Sequence, residues 1–403
     1  MRISRRGVIG GIGATTASVM MGMPSIARTQ TTKKWVFAGS SPLTGPFAQA
    51  GTTALKDITD WVEMTNDTGG IAGLPVEIVH EDSGYDPARS LANFKKAMSA
   101  DQRPIFYFGD STGFMKLVAP ELLRTPVLNG GSSFASELAN PRTHPYQYIA
   151  GPTYQSMFDI LLQHIKDRGG KTVGFVYSDT EFGRDPIEHG RRSAASLGLD
   201  VVHEEITKAA GAEIQSHVSQ LRRADPEYVI LHGFVTGIWP EIIATARAFK
   251  METQFLGTVW GMEKVIADAV TKRAGPILDG YAGVMPYRYF YEAADTKAYA
   301  SLAAFKKQKY GDAFPGYVLT WSLGPIFSHE LAKKSIEITV DADKAVNAEN
   351  LAAALAGISN WDSGGYMGRP VSVVQNSVPQ GRIYSYDADS GLFGPISEWM
   401  EIA

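Results

Sequence analysis

From Lys34 onward the chain alternates short β-type runs with longer helical patterns, and it does so twice. Trp35–Ala38, Val76–His80, Ile105–Phe108 and Pro126–Leu128 read as strands, followed by helical patterns over 47–65, 87–98, 112–123 and 133–138. After Tyr148 the alternation restarts, with strands at 172–177, 199–204, 228–232 and 254–257 and helices at 181–197, 211–223, 235–249 and 262–271. Such alternation specifies parallel sheets built from right-handed βαβ units. Two series in one chain predict an α/β fold of two Rossmann-like, doubly wound lobes. With 403 residues, 44% of them hydrophobic, there is core material for both. In open sheets of this type ligands sit beyond the carboxyl ends of the strands. The functional expectation therefore falls on the residues that follow each strand.

Three stretches lie outside the rhythm. Tyr281–Tyr291, with Gly283 and Pro286, reads as a crossover between lobes. The helices that follow, Asp295–Tyr310 and Tyr317–Lys334, are expected to cover a lobe already built. Near the end, Pro370–Asn376 and Arg382–Tyr386 alternate like two strands of a hairpin added to an existing sheet. Basic pairs such as Lys95-Lys96, Arg191-Arg192, Lys306-Lys307 and Lys333-Lys334 are expected on solvated helix faces.

The first 27 residues read as a cleavable secretory signal, with a positive start, a glycine-rich apolar stretch and small residues before the expected cut after Ala27. Ser4-Arg5-Arg6-Gly7 is similar to a twin-arginine address, which exports folded protein. Removing the segment takes away Arg2, Arg5 and Arg6, so the formal net charge moves from −4 to −7. A periplasmic location is expected. The acidic balance argues against nucleic acid, which calls for a basic patch. No cysteine is present, which excludes disulfides, thiolate metal sites and cysteine nucleophiles. The eight histidines are scattered, with no His-Glu-x-x-His and no Gly-x-Ser-x-Gly. An exported hydrolase is a rival from another class, but only His232, beside Gly233 at a strand end, stands near the expected cleft. No cofactor and no metal are expected.

The strand ends differ between the two series. In the first, Gly39–Gly51, Gly109-Asp-Ser-Thr-Gly113 and Asn129-Gly-Gly-Ser-Ser-Phe134 put glycines and hydroxyls at helix starts, where backbone N–H groups meet anions. In the second, Ser178–Gly183, Gly233–Thr236 and Thr258–Gly261 bring aromatics: Phe182, Phe234 and Trp260. One polar wall and one aromatic wall suit a small ligand with a polar head and an apolar or flat body.

These loops resemble those of the leucine/isoleucine/valine-type substrate-binding proteins of ABC transporters. Pro42-Leu-Thr-Gly-Pro46 is similar to the family's opening signature, and Asn66-Asp-Thr-Gly-Gly70-Ile-Ala-Gly73 to its Asn-x-x-Gly-Gly-Ile-x-Gly turn. Asp82, Asp86-Pro87 and Asp179-Thr-Glu-Phe-Gly183 follow in the family's order. The resemblance implies a type I periplasmic binding protein, two lobes joined by a three-crossing hinge, with residues 33–149 plus 286–366 in lobe 1 and 150–285 plus 367–403 in lobe 2. It implies a monomer that does no chemistry on its ligand and hands it to an ABC permease and its ATPase in the inner membrane. A sensor that passes ligand to a receptor would share fold and site.

The resemblance assigns an amino-acid carboxylate to lobe-one hydroxyls, a role that Ser111, Thr112, Ser132 and Ser133 fit. The ammonium partners depart from the pattern. Phe134 stands where a threonine is frequent, Ala50 and Phe182 where tyrosines are. The expected lobe-two acid falls within Thr258–Trp260, with Glu263 the nearest carboxylate. A buried ammonium without a partner is costly, so the expected ligand has a carboxylate or amide head, an aromatic or apolar body and no α-ammonium; an aromatic acid fits best. Branched-chain amino acids and short amides are the alternative. Asp110 works against the first reading, because a lobe-one carboxylate could serve an ammonium or amide. The residues expected around the ligand are Asp110, Ser111, Thr112, Ser132, Ser133, Phe134, Tyr154, Phe182, Phe234 and Trp260.

Overall fold

The computed structural model describes residues 33–208 and 213–402; the signal-peptide expectation falls outside them. The first lobe is built from β1 (Trp35–Ser41), α1 (Ala48–Asp67), β2 (Val76–Asp82), α2 (Pro87–Met98), β3 (Phe106–Gly109), α3 (Thr112–Arg124) and β4 (Leu128–Gly131). Its sheet is parallel, in the order β2-β1-β3-β4. The chain then crosses into α4 (Tyr154–Asp167), β5 (Thr172–Ser178), α5 (Glu181–Arg184), α6 (Ile187–Ser196), β6 (Asp200–Thr207) and α7 (Ile214–Ala224). β7 (Tyr228–His232), α8 (Ile238–Ala248), β8 (Gln254–Gly257), α9 (Lys264–Ala274) and β9 (Ala282–Met285) continue the second lobe.

A second crossing leads into α10 (Lys297–Tyr310), α11 (Thr320–Asp341) and α12 (Ala348–Ala356). α11 lies on α1 and β4 and so covers the first lobe. A third crossing leads to β10 (Gln380–Asp387), β11 (Leu392–Pro395) and β12 (Met400–Glu401). The second sheet runs β11-β10-β9-β8-β7-β5-β6, with β12 beside β10 and the last pairings antiparallel. The two-lobed α/β architecture with three crossings is thus as expected.

Local sequence explains the ends that matter. Asp86 caps α2 by accepting from the N–H groups of Ala88 (2.8 Å) and Arg89 (3.0 Å), with Pro87 preset for the first turn. Gly70 has φ +76°, and a Cβ there would lie 2.1 Å from the Leu74 carbonyl oxygen, so the turn before β2 admits only glycine. Asp82 fixes the opening loop: its carboxylate accepts from Gly84 N, Leu43 N, Thr44 N and Thr44 Oγ1 at 2.8–3.1 Å. Those bonds, the one from Gly84 first, hold its carboxyl down to about 2.

Several expectations are corrected. The helix expected over 181–197 breaks into α5 and α6 at Asp185-Pro186, because Pro186 has no N–H to carry the ladder. The helix expected over 133–138 is one 3-10 turn at Ser136–Ala139. The crossover expected at Tyr281–Tyr291 begins as β9, paired with both β8 and β10, and crosses only after Met285. Pro370–Asn376 is not a strand: Gln375 and Asn376 take left-handed φ values of 47° and 57°, closing a turn between Val374 and Ser377. The hairpin is β10 and β11, joined through Asp387–Gly391. Lys306 is no solvated lysine; it is 3% exposed and bonded to Asp57 (2.5 Å) and Asp60 of α1.

Candidate functional site

A cleft of about 670 Å³, its open mouth included, lies between the lobes. Ser41, Asp110 and Ser132 reach it from beyond the carboxyl ends or last residues of β1, β3 and β4. Phe182, Val235 and Trp260 reach it from beyond β5, β7 and β8. Strand-end geometry therefore supplies both walls, but the first-lobe wall is not polar alone: Phe47, Tyr85 and Phe108 line it beside Ser41, Asp110, Thr112 and Ser132.

Asp110 is the charged member of the lining; no lysine, arginine or histidine of the described residues joins it. It is 5% exposed. Its Oδ1 accepts from Ser90 Oγ (3.0 Å) and Ser111 Oγ (3.3 Å), and no described residue donates to Oδ2. Burial pushes its carboxyl up, against the pull of the Ser83, Ser90 and Ser111 hydroxyls.

The hydroxyls around it divide. Ser111 caps α3, accepting from Phe114 N at 3.3 Å while donating to Asp110, and does not line the cleft. Thr112 lines it, but its Oγ1 lies 2.8 Å from Ser133 Oγ, which also accepts from Ala135 N (3.2 Å). Ser133 is fully buried behind the wall. Ser132 lines the cleft, its N–H bonded to the Gly109 carbonyl (2.8 Å) and its hydroxyl without a bond to any described residue.

The aromatic residues divide as well. Tyr154, Phe182 and Trp260 line the cleft, and Trp260 Nε1 donates to the Tyr154 hydroxyl at 2.9 Å. Phe134 sits behind them, its ring 5.7 Å from Tyr154 and 5.5 Å from Trp260. Phe234 is outside the lining and stacks on Phe47 across the lobes at 5.7 Å. Six of the ten expected residues thus come together in the lining; Ser111, Ser133, Phe134 and Phe234 do not.

His232 is buried and committed. Its Nε2–H donates to the Phe182 carbonyl at 3.0 Å and its Nδ1 accepts from Thr258 Oγ1 at 2.8 Å. Burial takes it down to about 3, so it is neutral and orients the Phe182 turn. Glu263 is also spent: it accepts from Thr320 Oγ1 (2.5 Å), Trp321 N (3.2 Å) and Val265 N (3.3 Å), tying α9 to α11. Among the described residues lobe two puts no carboxylate into the lining.

Tyr85, Phe108, Trp321 and the α1 face of Ala50, Gly51 and Ala54 also line the cleft. Tyr85 follows β2, so the strand-end rule pointed at it; its φ of +64° is a strained conformation for a bulky residue, the kind found at sites. Trp321 comes from α11, far along the chain, and donates to the Trp260 carbonyl at 3.1 Å.

The lobes touch around the mouth. Lys116 of α3 reaches Glu181 (3.2 Å) and Asp185 (3.9 Å), and Asp185 accepts from Ser136 N (3.3 Å) and Oγ (3.1 Å). Burial raises the Asp185 carboxyl to about 6. Among the described residues no group of side chains could hold a metal ion, and no helix is long and apolar enough to cross a membrane.

Comparison with known proteins agrees with this geometry. The sequence profile of a family described as periplasmic binding protein matches residues 35–391. The chain is 24% identical over 353 residues to a leucine-, isoleucine-, valine-, threonine- and alanine-binding protein of Pseudomonas aeruginosa, covering 84% of this chain and 86% of that one. Among solved structures it is similar to a branched-chain amino acid ABC transporter protein of Thermus thermophilus with bound valine. The TM-score is 0.82 and the identity 20%, over 92% of this chain and 97% of that one. It is also similar to a fatty acid ABC transporter substrate-binding protein of Thermomonospora curvata, with TM-score 0.77 and 19% identity over 92% and 93% of the two chains.

Proposed function

The chain belongs to the periplasmic binding protein family, and we propose that it is the solute-binding component of an ABC importer that captures a nitrogen-bearing ligand, of amino-acid or short-amide type, with the nitrogen at Asp110. The family is one of binding proteins, not enzymes. Relatives named for amino-acid binding and ABC transport support the transport role and delivery to a permease and its ATPase.

One observation carries the choice of ligand: Asp110 Oδ2 is buried at the cleft without a donor from any described residue. A buried carboxylate left unpaired costs far more than one that is paired. An ammonium or amide N–H supplies the missing donor. Among the described residues lobe two gives the lining no acid for an ammonium; Asp110 offers one from lobe one. The aromatic part of the expectation keeps its support in Tyr154, Phe182, Trp260 and Trp321.

The test is calorimetric titration of the purified protein with leucine, phenylalanine, their amides and benzoate, repeated with Asp110→Asn. Nitrogen-bearing ligands are expected to bind the native protein and to lose about a hundredfold or more in the variant, in line with the cost of removing one partner of a buried charged pair. Tight benzoate binding that Asp110→Asn leaves unchanged would overturn the proposal.

A further inference from the structure

We infer that Ser41 donates its hydroxyl hydrogen to an oxygen of the ligand, and that His80 positions it for that task, the imidazole Nδ1–H holding the serine oxygen from behind. This deepens the amino-acid or short-amide reading and rests on it, because such a ligand brings an oxygen acceptor along with the nitrogen assigned to Asp110.

The pairing of Ser41 with His80 follows from the sheet. Gly39 on β1 and His80 on β2 are register partners, and Ser41 stands two residues beyond Gly39. Side chains two apart on a strand share a face. The His80 ring therefore lies over the bare Gly39 and reaches the Ser41 side chain, with Nδ1 3.0 Å from Oγ. A Cβ on Gly39 would sit 2.6 Å from His80 Nε2, so the glycine leaves the room that the ring occupies. Ser41 is pinned as well: its carbonyl accepts from Leu43 N and Ser83 N, each at 2.9 Å, and it ends β1 in the cleft lining.

The far side of the ring decides which partner gives the proton. His80 Nε2 is buried and no described residue bonds it. The rings beside it are Phe108, at 5.9 Å, and His329, at 6.5 Å. A hydrogen on Nε2 would be an orphaned buried donor, which folded proteins rarely keep, whereas an unpaired acceptor is tolerated more often. His329 makes the same choice next door. Its Nδ1 lies 2.8 Å from the Pro325 carbonyl, which can only accept, and its Nε2 is likewise buried without a partner among the described residues. Burial takes His80 down to about 3 and His329 to about 4, so each ring is neutral and carries one N–H. With that hydrogen on Nδ1, His80 donates to Ser41 Oγ, and the serine hydrogen has no acceptor among the described residues.

The strand order gives this hydrogen its place in recognition. β3, which ends at Asp110, lies between β1, which ends at Ser41, and β4, which precedes Ser132. Hydroxyl donors thus flank the carboxylate that takes the ligand nitrogen, and Ser132 also keeps its hydroxyl clear of the described residues. A ligand with nitrogen and oxygen on neighbouring atoms uses both.

Two measurements test the pair. Nitrogen-15 NMR of the histidine-labelled mature protein reads the tautomer, with the His80 signals assigned by their absence from His80→Gln. A protonated Nδ1 and a bare Nε2 are expected; a protonated Nε2 overturns the inference. Calorimetric titration with L-leucine and L-phenylalanine then compares the native protein, Ser41→Ala and Asp110→Asn. Ser41→Ala is expected to weaken binding by about tenfold or more, as for a lost hydrogen bond to a charged group. Unchanged affinity in Ser41→Ala, with or without a fall in stability to urea, overturns the inference, and a loss confined to Asp110→Asn leaves the nitrogen at Asp110 standing. A loss confined to Ser41→Ala supports the serine donor and removes the nitrogen from Asp110. Absence of binding by both amino acids at millimolar concentration overturns both assignments.

Discussion

The α1–α10 interface and the interlobe cleft each bury an aspartate, and they treat it in opposite ways. Asp60, fully buried in α1, is surrounded by Lys306, Lys309 at 2.9 Å and the Tyr310 hydroxyl at 2.6 Å, with Asp57 sharing Lys306. Burial alone would push its carboxyl up, but the bonds from Lys306, Tyr310 and Lys309 outweigh it and hold it below its ordinary value. Asp110 has no cation beside it; the Ser90 and Ser111 hydroxyls bond its Oδ1, and burial wins. A protein that can settle a buried carboxylate so fully in one place leaves it half-settled in another, and the second place is the wall of a cleft. That contrast points to a partner that arrives from outside.

The strongest way to break the contrast is to strip Asp60 of its partner. Lys306→Met leaves Asp57 and Asp60 facing each other with only Lys309 and Tyr310 nearby. A loss of about 3–5 kcal/mol is expected, as for breaking a buried ion pair by removing one side, read by urea unfolding. No fall in stability would mean that the network is not worth its burial.

A smaller and opposite effect is expected at the cleft. Asp110→Asn keeps the oxygen that accepts from Ser90 and Ser111 and removes the uncompensated charge. The unliganded variant should be as stable as the native protein, or more so. The pH dependence fixes the sign. Asp110 titrates higher folded than unfolded, so its contribution to stability is present below the unfolded value and is lost as pH rises through the folded one. The advantage of the asparagine variant should therefore grow as pH rises from acid toward neutral. Asp60 runs the other way: its contribution is present above the unfolded value and is lost as pH falls through the lowered folded one. Equal pH profiles for the native protein and Asp110→Asn would erase the distinction between the two aspartates.

The sequence carried the lobes because strand-helix alternation is a local signal repeated along the chain. It also put Asp110, Thr112, Ser132, Phe182 and Trp260 beyond strand ends, where they line the cleft, since strand ends can be counted without knowing how the lobes meet. It did not tell which hydroxyls were free: whether Ser133 faces a ligand or Thr112 depends on two loops 21 residues apart. Phe134 stands behind Tyr154 and Trp260, a tertiary packing that counting strand ends does not show. Trp321 and the engagement of Glu263 by Thr320 were invisible for the same reason, as both depend on α11 returning to the cleft. Lys306 looked solvated beside Lys307, and only α1 packing against α10 revealed its two aspartates.

The most direct test of the central claim is a crystal structure of the protein with an amine-bearing ligand bound. The account predicts a ligand nitrogen within about 3 Å of Asp110 Oδ2, with the ligand body between the lobe-two aromatics and the Ala50–Ala54 face of α1. A ligand whose carboxylate faces Asp110, or one that leaves Oδ2 untouched, would contradict it.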